Sequence, residues 1–323
     1  MTGFGYTLMT EQAGPRALVE HAAAAEAAGF DFEVISDHYS PWLAGQGHAP
    51  YAWSVLGAVA QVTDRVDLMT YVTCPIRRYH PAVVAQQAAT VQLLSDGRFT
   101  LGLGAGENLN EHIIGTGWPP VNVRHEMLVE ALTIIGELFD GGHVNYRGKH
   151  FTVDSAKLWD LPERRVPIAT AVSGRQSIEV AAPRSDAMIA VDPDADLVRM
   201  WDSLSVESDQ RKIAQLPICW DVDRAEAVRR AHDQYRWFAG GWKVNAELPG
   251  PDAFAAATRF VTPEDVAARI PCGPDPEGIV SAVEQFGKAG FTDIALVQIG
   301  GDHQRDFFTF AERELLPALR AIR

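Results

Sequence analysis

The chain has 323 residues, a formal net charge of −14, 47% hydrophobic residues and 22% charged residues. An acidic balance with no basic cluster argues against a nucleic-acid partner, and a chain of this length and apolar content buries a large core without covalent staples. The three cysteines, Cys74, Cys219 and Cys272, have no paired spacing, so neither a disulfide framework nor a structural zinc is expected.

Short apolar runs alternate with longer helical patterns from end to end. Phe4 to Leu8 reads as the first strand. Pro15 opens a helix where a missing N–H does no harm, Leu18, Ala22, Ala25 and Ala28 give it one buried face, and Gly29 stops it. Phe32 to Ile35 is the second strand, Tyr51 to Thr63 a helix, and Val66 to Val72 the third strand. A helix opened by Pro81 runs to about Leu94, and Phe99 to Leu103 is the fourth strand. Asn122 is expected to cap a helix with Leu128, Leu132, Ile135 and Leu138 on its apolar face, ended by Gly141 and Gly142. His143 to Val153, turning at Arg147-Gly148, reads as a hairpin. Strands five to eight are Pro167 to Ala171, Ala187 to Val191, Leu216 to Trp220 and Thr292 to Gln298. A last helix from about Gln304 to Ala321 follows a candidate Asp302 cap.

Eight strands alternating with helices predict an α/β fold, a (β/α)8 TIM barrel built as a single domain over 1–323. Two insertions are expected, the hairpin near 143–153 and a segment near 240–271 that fits the alternation poorly. A doubly wound open sheet is the alternative, but the first strand runs into Met9-Thr10-Glu11-Gln12 rather than a glycine turn for phosphate. The N-terminus carries no basic leader and no apolar run reaches the length of a membrane span, so a cytoplasmic protein without membrane association is expected.

In such barrels the site is built from the loops after the strands. Those loops carry Thr10-Glu11-Gln12, then Ser36-Asp37-His38-Tyr39-Ser40-Pro41-Trp42, then Thr73-Cys74-Pro75-Ile76-Arg77-Arg78. After strand four comes Gly104-Ala105-Gly106-Glu107-Asn108-Leu109-Asn110, and after strand five Val172-Ser173-Gly174. His38 is a candidate general acid or base because imidazole titrates near neutral pH; a capped turn with an exposed imidazole is the plainer alternative. The glycines before Glu107 let the backbone approach a flat ligand, with the carboxyl placed to hold or supply a proton there. A nicotinamide fingerprint fails, since Glu107 stands where the third glycine belongs. The ten histidines have no metal-ligand spacing, so no metal site is predicted. Trp53, Trp118, Trp159, Trp201, Trp220, Trp237 and Trp242 read as packing or loop residues.

Taken together, Glu11-Gln12, Ser36-Asp37-His38 with Pro41-Trp42, His48-Ala49-Pro50, the segment from Thr70 to Gln86, Gly102 to Glu107 with Leu109-Asn110-Glu111, and His303-Gln304-Arg305 form a specific set. On these marks, over nearly its whole length, the chain resembles the luciferase-like flavin and deazaflavin oxidoreductases. It is most similar to the branch of the F420-dependent glucose-6-phosphate dehydrogenases. The resemblance implies coenzyme F420 at the barrel's C-terminal face, with FMN and a monooxygenase as the alternative, and a non-catalytic ligand-binding barrel as a further one. It implies catalytic roles for His38 as the base that takes a hydroxyl proton, Trp42 beside the transition state, and Glu107 near the ring nitrogen. It implies cofactor contacts from Asp37, Tyr71, Val72, Thr73, Glu107, Asn110, Val172, Ser173 and Gly174, with a cis peptide at Tyr71-Val72, and places Glu11 and Trp42 toward a small-molecule substrate. Arg77, Arg78 and Arg175 are candidates for the acidic cofactor tail. Asp194 and Ala268 stand where the sugar-phosphate enzymes carry lysines, and Asp192-Pro193-Asp194 would repel a phosphate. The implied substrate is therefore an alcohol, or an enone or imine reduced in the opposite direction, rather than glucose 6-phosphate. A homodimer is implied by the resemblance alone.

Overall fold

The computed structural model describes residues 3–207 and 209–322. Its elements in chain order are β1 (Gly3–Leu8), α1 (Pro15–Ala28), β2 (Phe32–Ile35), α2 (Ala52–Val59), β3 (Asp67–Thr70), α3 (Pro81–Leu94), β4 (Phe99–Leu103), the single turn α4 (Asn108–Glu111) and α5 (Val121–Phe139). The hairpin β5 (Val144–Arg147) and β6 (Thr152–Ala156) follows, then β7 (Ile168–Ala171), α6 (Arg175–Ala181), β8 (Ala187–Ala190), α7 (Ala195–Leu204), β9 (Arg211–Ile218) and α8 (Arg224–Tyr235). Next are α9 (Trp242–Asn245), α10 (Pro251–Ala257), α11 (Pro263–Ala267), α12 (Pro276–Ala289), β10 (Asp293–Gln298), α13 (Gln304–Phe310) and α14 (Leu316–Arg320).

Eight strands close into a parallel barrel in the order β1-β10-β9-β8-β7-β4-β3-β2, and β5-β6 form a separate antiparallel pair. The (β/α)8 architecture and both insertions match the sequence expectation. Because side chains alternate along a strand, Phe32, Val34, Met69, Ala169, Ile189, Ile213 and Ala295 fill the barrel, while Tyr6, Ile35, Leu68 and Leu101 pack outward against the helices. α1 opens at Pro15 and stops at Gly29 with φ 99°, and α3 opens at Pro81, as the proline and glycine signals predict.

Several boundaries differ. α5 begins at Val121 behind Pro120, so Asn122 lies inside the first turn rather than at the cap. α13 begins behind His303 with no side-chain cap, and Asp302 sits in the preceding 3-10 turn. α2 ends at Val59, short of Thr63, whose hydroxyl instead donates to the Val59 carbonyl. β9 starts at Arg211, five positions before the apolar run at Leu216, because its polar side chains are paired: Arg211 with Asp293, Lys212 with Asp202, and Gln215 with the Thr7 hydroxyl.

At the exit of β3, Thr70 Oγ1 donates to the Gly102 carbonyl at 2.8 Å and accepts from the Gly102 N–H at 3.0 Å. A Cβ at Gly102 would collide with the Thr70 carbonyl oxygen, so only glycine permits this approach. The next peptide, Tyr71-Val72, is cis. Among the described residues no helix is long and apolar enough to cross a membrane.

Candidate active site

The loops after β1, β2 and β4 bring three ionisable side chains into one line at the barrel mouth. His38 Nδ1 lies 2.9 Å from Glu11 Oε1, and its Nε2 lies 3.6 Å from Glu107 Oε1. His38 is 6% exposed and Glu11 1%. The Nδ1 link is a charge contact, since the ring N–H is not aligned for a hydrogen bond. Glu11 is held from behind: its Oε2 accepts from Ser36 Oγ at 2.6 Å and from Thr10 Oγ1 at 3.2 Å. Both Glu11 oxygens are thus engaged by the protein, and Glu11 acts on the site through His38. Glu107 Oε2, in contrast, is buried without any donor.

These charges set the protonation. Burial pushes the His38 ring toward its neutral form, but the Glu11 and Glu107 carboxylates outweigh burial and push its pKa up to about 10. Burial likewise raises Glu11, and the His38 charge with the Ser36 hydrogen bond more than offsets it, leaving the carboxyl below its ordinary range. Together these interactions favour the imidazolium form of His38 beside the Glu11 carboxylate.

Asp37 points away from this line. Its Oδ2 accepts from Thr73 Oγ1 at 2.7 Å and Trp53 Nε1 at 3.3 Å, and its Oδ1 from the Tyr79 hydroxyl at 3.1 Å and Arg78 Nη2 at 3.2 Å. With those four donors Asp37 and Thr73 brace the loop that presents His38. Arg78 is committed to the same frame, donating to the Asp37 carbonyl at 2.6 Å and lying 3.5 Å from Glu111. Burial, only partly offset by Arg78, pushes Glu111 up to about 7. Asn110 Oδ1 accepts from the Tyr39 and Ser40 N–H groups at 2.8 and 3.3 Å and holds the same loop from the β4 side.

Tyr71 donates across the mouth to the Ala190 carbonyl at 3.1 Å. Val72 packs beneath Gly104, where a Cβ would meet its Cγ2 at 2.7 Å. Val172 is buried, whereas Ser173 is exposed and, with Gly174, donates its N–H to Ser177 Oγ. Arg77 is half-buried with an unpartnered Nε, and Arg175 is exposed and paired with Glu179 at 3.7 Å. Asp192, Pro193, Asp194 and Ala268 lie toward the surface, and the Asp194 carboxylate caps α7 by accepting from the Asp196 and Leu197 N–H groups.

The end of α8, the turn after it and the insertion supply site residues that sequence reasoning passed over. Trp42 stacks face to face on Trp237, centroids 3.9 Å apart at 8°, meets Phe254 edge-on, and lies 5.0 Å from the His38 ring. Tyr235 adjoins Trp237 at 4.7 Å. Burial, then the nearby Glu11 and Tyr71, raises the Tyr235 phenol, so this ring closes the same wall. The signal was present as the aromatic run Tyr235-Arg236-Trp237-Phe238 directly before the poorly fitting segment.

Residues 1–293 match the luciferase-like monooxygenase family. The chain is 34% identical to an F420-dependent glucose-6-phosphate dehydrogenase of Amycolatopsis mediterranei, over 100% of both chains. It is also 34% identical to an F420-dependent hydroxymycolic acid dehydrogenase of Mycobacterium tuberculosis, over 98% of this chain and 88% of that one. A solved F420-dependent secondary alcohol dehydrogenase in complex with an F420-acetone adduct superposes with a TM-score of 0.89 at 28% identity, covering 99% of each chain.

Proposed function

Because the chain belongs to the luciferase-like monooxygenase family, we propose that it is an oxidoreductase transferring a hydride between coenzyme F420 and a small neutral organic substrate carrying a hydroxyl or a reducible double bond. The observation that carries this reading is His38 held between Glu11 and Glu107 beneath the Trp42 ring. Asp194 and Ala268, in place of the expected lysines, leave a sugar phosphate without those cations, and the Trp42–Trp237 wall favours an apolar substrate body.

The mouth fits a deazaflavin on its own terms. Glu107 Oε2 is a buried acceptor that a ring N–H would satisfy. Val72, Glu107, Val172, Ser173 and Gly174 would hold the deazaflavin, with Tyr71 closing one side. Bound there, F420 supplies the hydride chemistry, which the protein directs by orientation.

The protein's own part is a proton. As an imidazolium, His38 donates to the substrate oxygen during reduction of a carbonyl; during oxidation the neutral ring accepts the hydroxyl proton. The two carboxylates favour the charged ring, so at neutral pH the resting site is set for donation, and the base role requires prior loss of a proton. Glu11 orients the ring through Nδ1, and Trp42 closes the site above it.

The exposed apolar residues Tyr51, Val62, Val83, Leu93 and Leu94 around α2 and α3 support a homodimer, and the reading includes a cytoplasmic location. Titration with oxidised F420 and, separately, FMN, followed by tryptophan fluorescence, tests the assignment. Tight binding of F420 alone is expected. Binding of FMN alone would redirect the reading to oxygen chemistry, and binding of neither would leave a barrel without this cofactor.

A further inference from the structure

One short stretch of the insertion is bonded directly to the residue after Glu107 and, through Arg124 and Trp118, reaches the residue before it. Immediately after it, the Asn108 N–H donates to the Ala246 carbonyl at 3.0 Å, and Asn108 Nδ2 donates to the Glu247 carbonyl at 3.0 Å. Immediately before it stands Gly106, at φ 78°, where a Cβ would lie 3.3 Å from the Trp118 ring and would collide with Cys74 Sγ. Arg124 covers that Trp118 ring, its guanidinium carbon 4.5 Å from the centroid, and closes the circuit by donating from Nη2 to Glu247 Oε1 at 2.8 Å.

Arg124 is an unusual group to find there. It is 4% exposed, and among the described residues its Nε and Nη1 have no hydrogen-bond partner and its one charge partner is the half-exposed Glu247 carboxylate. A buried guanidinium so sparsely bonded is weak evidence for stability, but it fixes the loop around Trp118. The same stretch reaches the opposite wall of the site, since Asn245 Nδ2 donates to the Trp237 carbonyl at 3.3 Å and Trp237 stacks on Trp42.

We propose that Asn245–Glu247 is a positioning clasp: through Asn108 and the Glu247–Arg124 pair it sets the distance between Glu107 and His38, and through Asn245 it sets the Trp237–Trp42 wall. Glu247 and Arg124 touch none of the reacting groups; they are positioning residues. The proposal rests on the assigned function only in treating Glu107, His38 and Trp42 as the reacting walls, and it is tested without cofactor or turnover.

The readout is the His38 ring titration in the cofactor-free protein, followed by NMR of histidine-labelled samples and assigned by the signal lost in His38→Asn. The charged groups nearest the ring are Glu11 from the β1 loop and Glu107 from the β4 loop. Glu247→Ala frees the Glu107 loop, so the His38 titration falls by on the order of one pH unit. Glu247→Gln keeps an acceptor oxygen for Arg124 and titrates close to the native protein. Asn108→Ala, which removes one side-chain bond and leaves the ion pair, shifts in the same direction by less, and it carries the test if Glu247→Ala fails to fold. Unchanged titration in both Glu247→Ala and Asn108→Ala overturns the clasp. A shift in Glu247→Gln as large as that in Glu247→Ala also overturns it, because loss of charge alone would then explain the effect. Failure of F420 to bind the native protein would remove the functional assignment and leave this result standing.

Discussion

Glu11→Gln isolates the charge that governs His38. At 2.9 Å the pair is close enough for roughly 6 kcal/mol of attraction at an effective dielectric of ~20, an upper bound because the ring also loses solvent. Opposite charges at this range move a pKa by ~1–3 units in practice. From its value of about 10, the His38 ring of the variant therefore titrates at roughly 7–9. Gln retains an oxygen for the Ser36 and Thr10 hydroxyls, so the loop stays in place. The assay is kcat/KM against pH for carbonyl reduction with reduced F420. Donation requires the imidazolium, so the native profile stays level and declines only as pH approaches about 10, while the variant declines earlier by the difference in pKa. Taking the ratio of the two profiles cancels ionisations common to both. The sign reverses for alcohol oxidation, where the variant gains its active form at lower pH. The same linkage acts on the fold: a ring pKa raised above 6.5 adds stability that is complete below 6.5 and is lost as pH rises through about 10, and the variant loses part of it. A variant whose rate drops equally at every pH, with no displacement of the decline, would refute the assignment of His38 as the proton carrier.

Two stability predictions concern groups away from the site. Glu33 is fully buried with both carboxylate oxygens unpartnered, and burial raises its pKa well above 4.5. The folded state keeps a proton that the unfolded chain releases, so stability falls by ~1.4 kcal/mol per pH unit above 4.5 until the buried carboxyl itself ionises. Glu33→Met should flatten that slope and raise Tm at pH 7, and an unchanged slope would show that the carboxyl is already ionised in the fold. Gly102→Ala should cost about 1–3 kcal/mol in denaturant unfolding, because the Thr70 carbonyl cannot withdraw. Gly136→Ala, inside the last turn of α5 with open space around it, should instead add ~0.5–1 kcal/mol; equal effects at the two positions would contradict the packing described.

The barrel was legible where local physics sufficed. Strands such as Phe32–Ile35 and Phe99–Leu103 are largely apolar runs, and Pro15, Gly29 and Pro81 punctuate the helices at their true ends. Legibility failed where a tertiary partner overrides the local signal. Arg211 and Lys212 open β9 because carboxylates on other elements receive them, and α8, with Arg224, Glu226, Arg229, Arg230 and Asp233, is too polar to announce a buried face. In the site, the strand-end rule found Glu11, His38 and Glu107, since loops after parallel strands converge regardless of their sequence separation. It could not find Trp237, Arg124 or Glu247. Their meaning depends on where the chain after α8 folds back, and no periodicity within the 240–271 segment or the turn before it encodes the seat on Trp42. For Asp37 the resemblance implied a cofactor contact, and no sequence signal marked the bracing role its oxygens take, accepting from Thr73, Trp53, Tyr79 and Arg78.

The two carboxylates beside His38 are not equivalent, and the difference divides their labour. A buried Glu–His–Glu line is costly to desolvate and persists only when each charge has a partner. Glu11 meets that condition entirely from within the protein: two hydroxyls take one oxygen and the ring takes the other. Its Oε2 is filled by those hydroxyls, and its Oε1 faces the ring. Glu107 meets it only in part, with Oε1 at the longer 3.6 Å and Oε2 unpartnered. A ligand that donates to Oε2 would draw charge away from the imidazolium and lower its pKa.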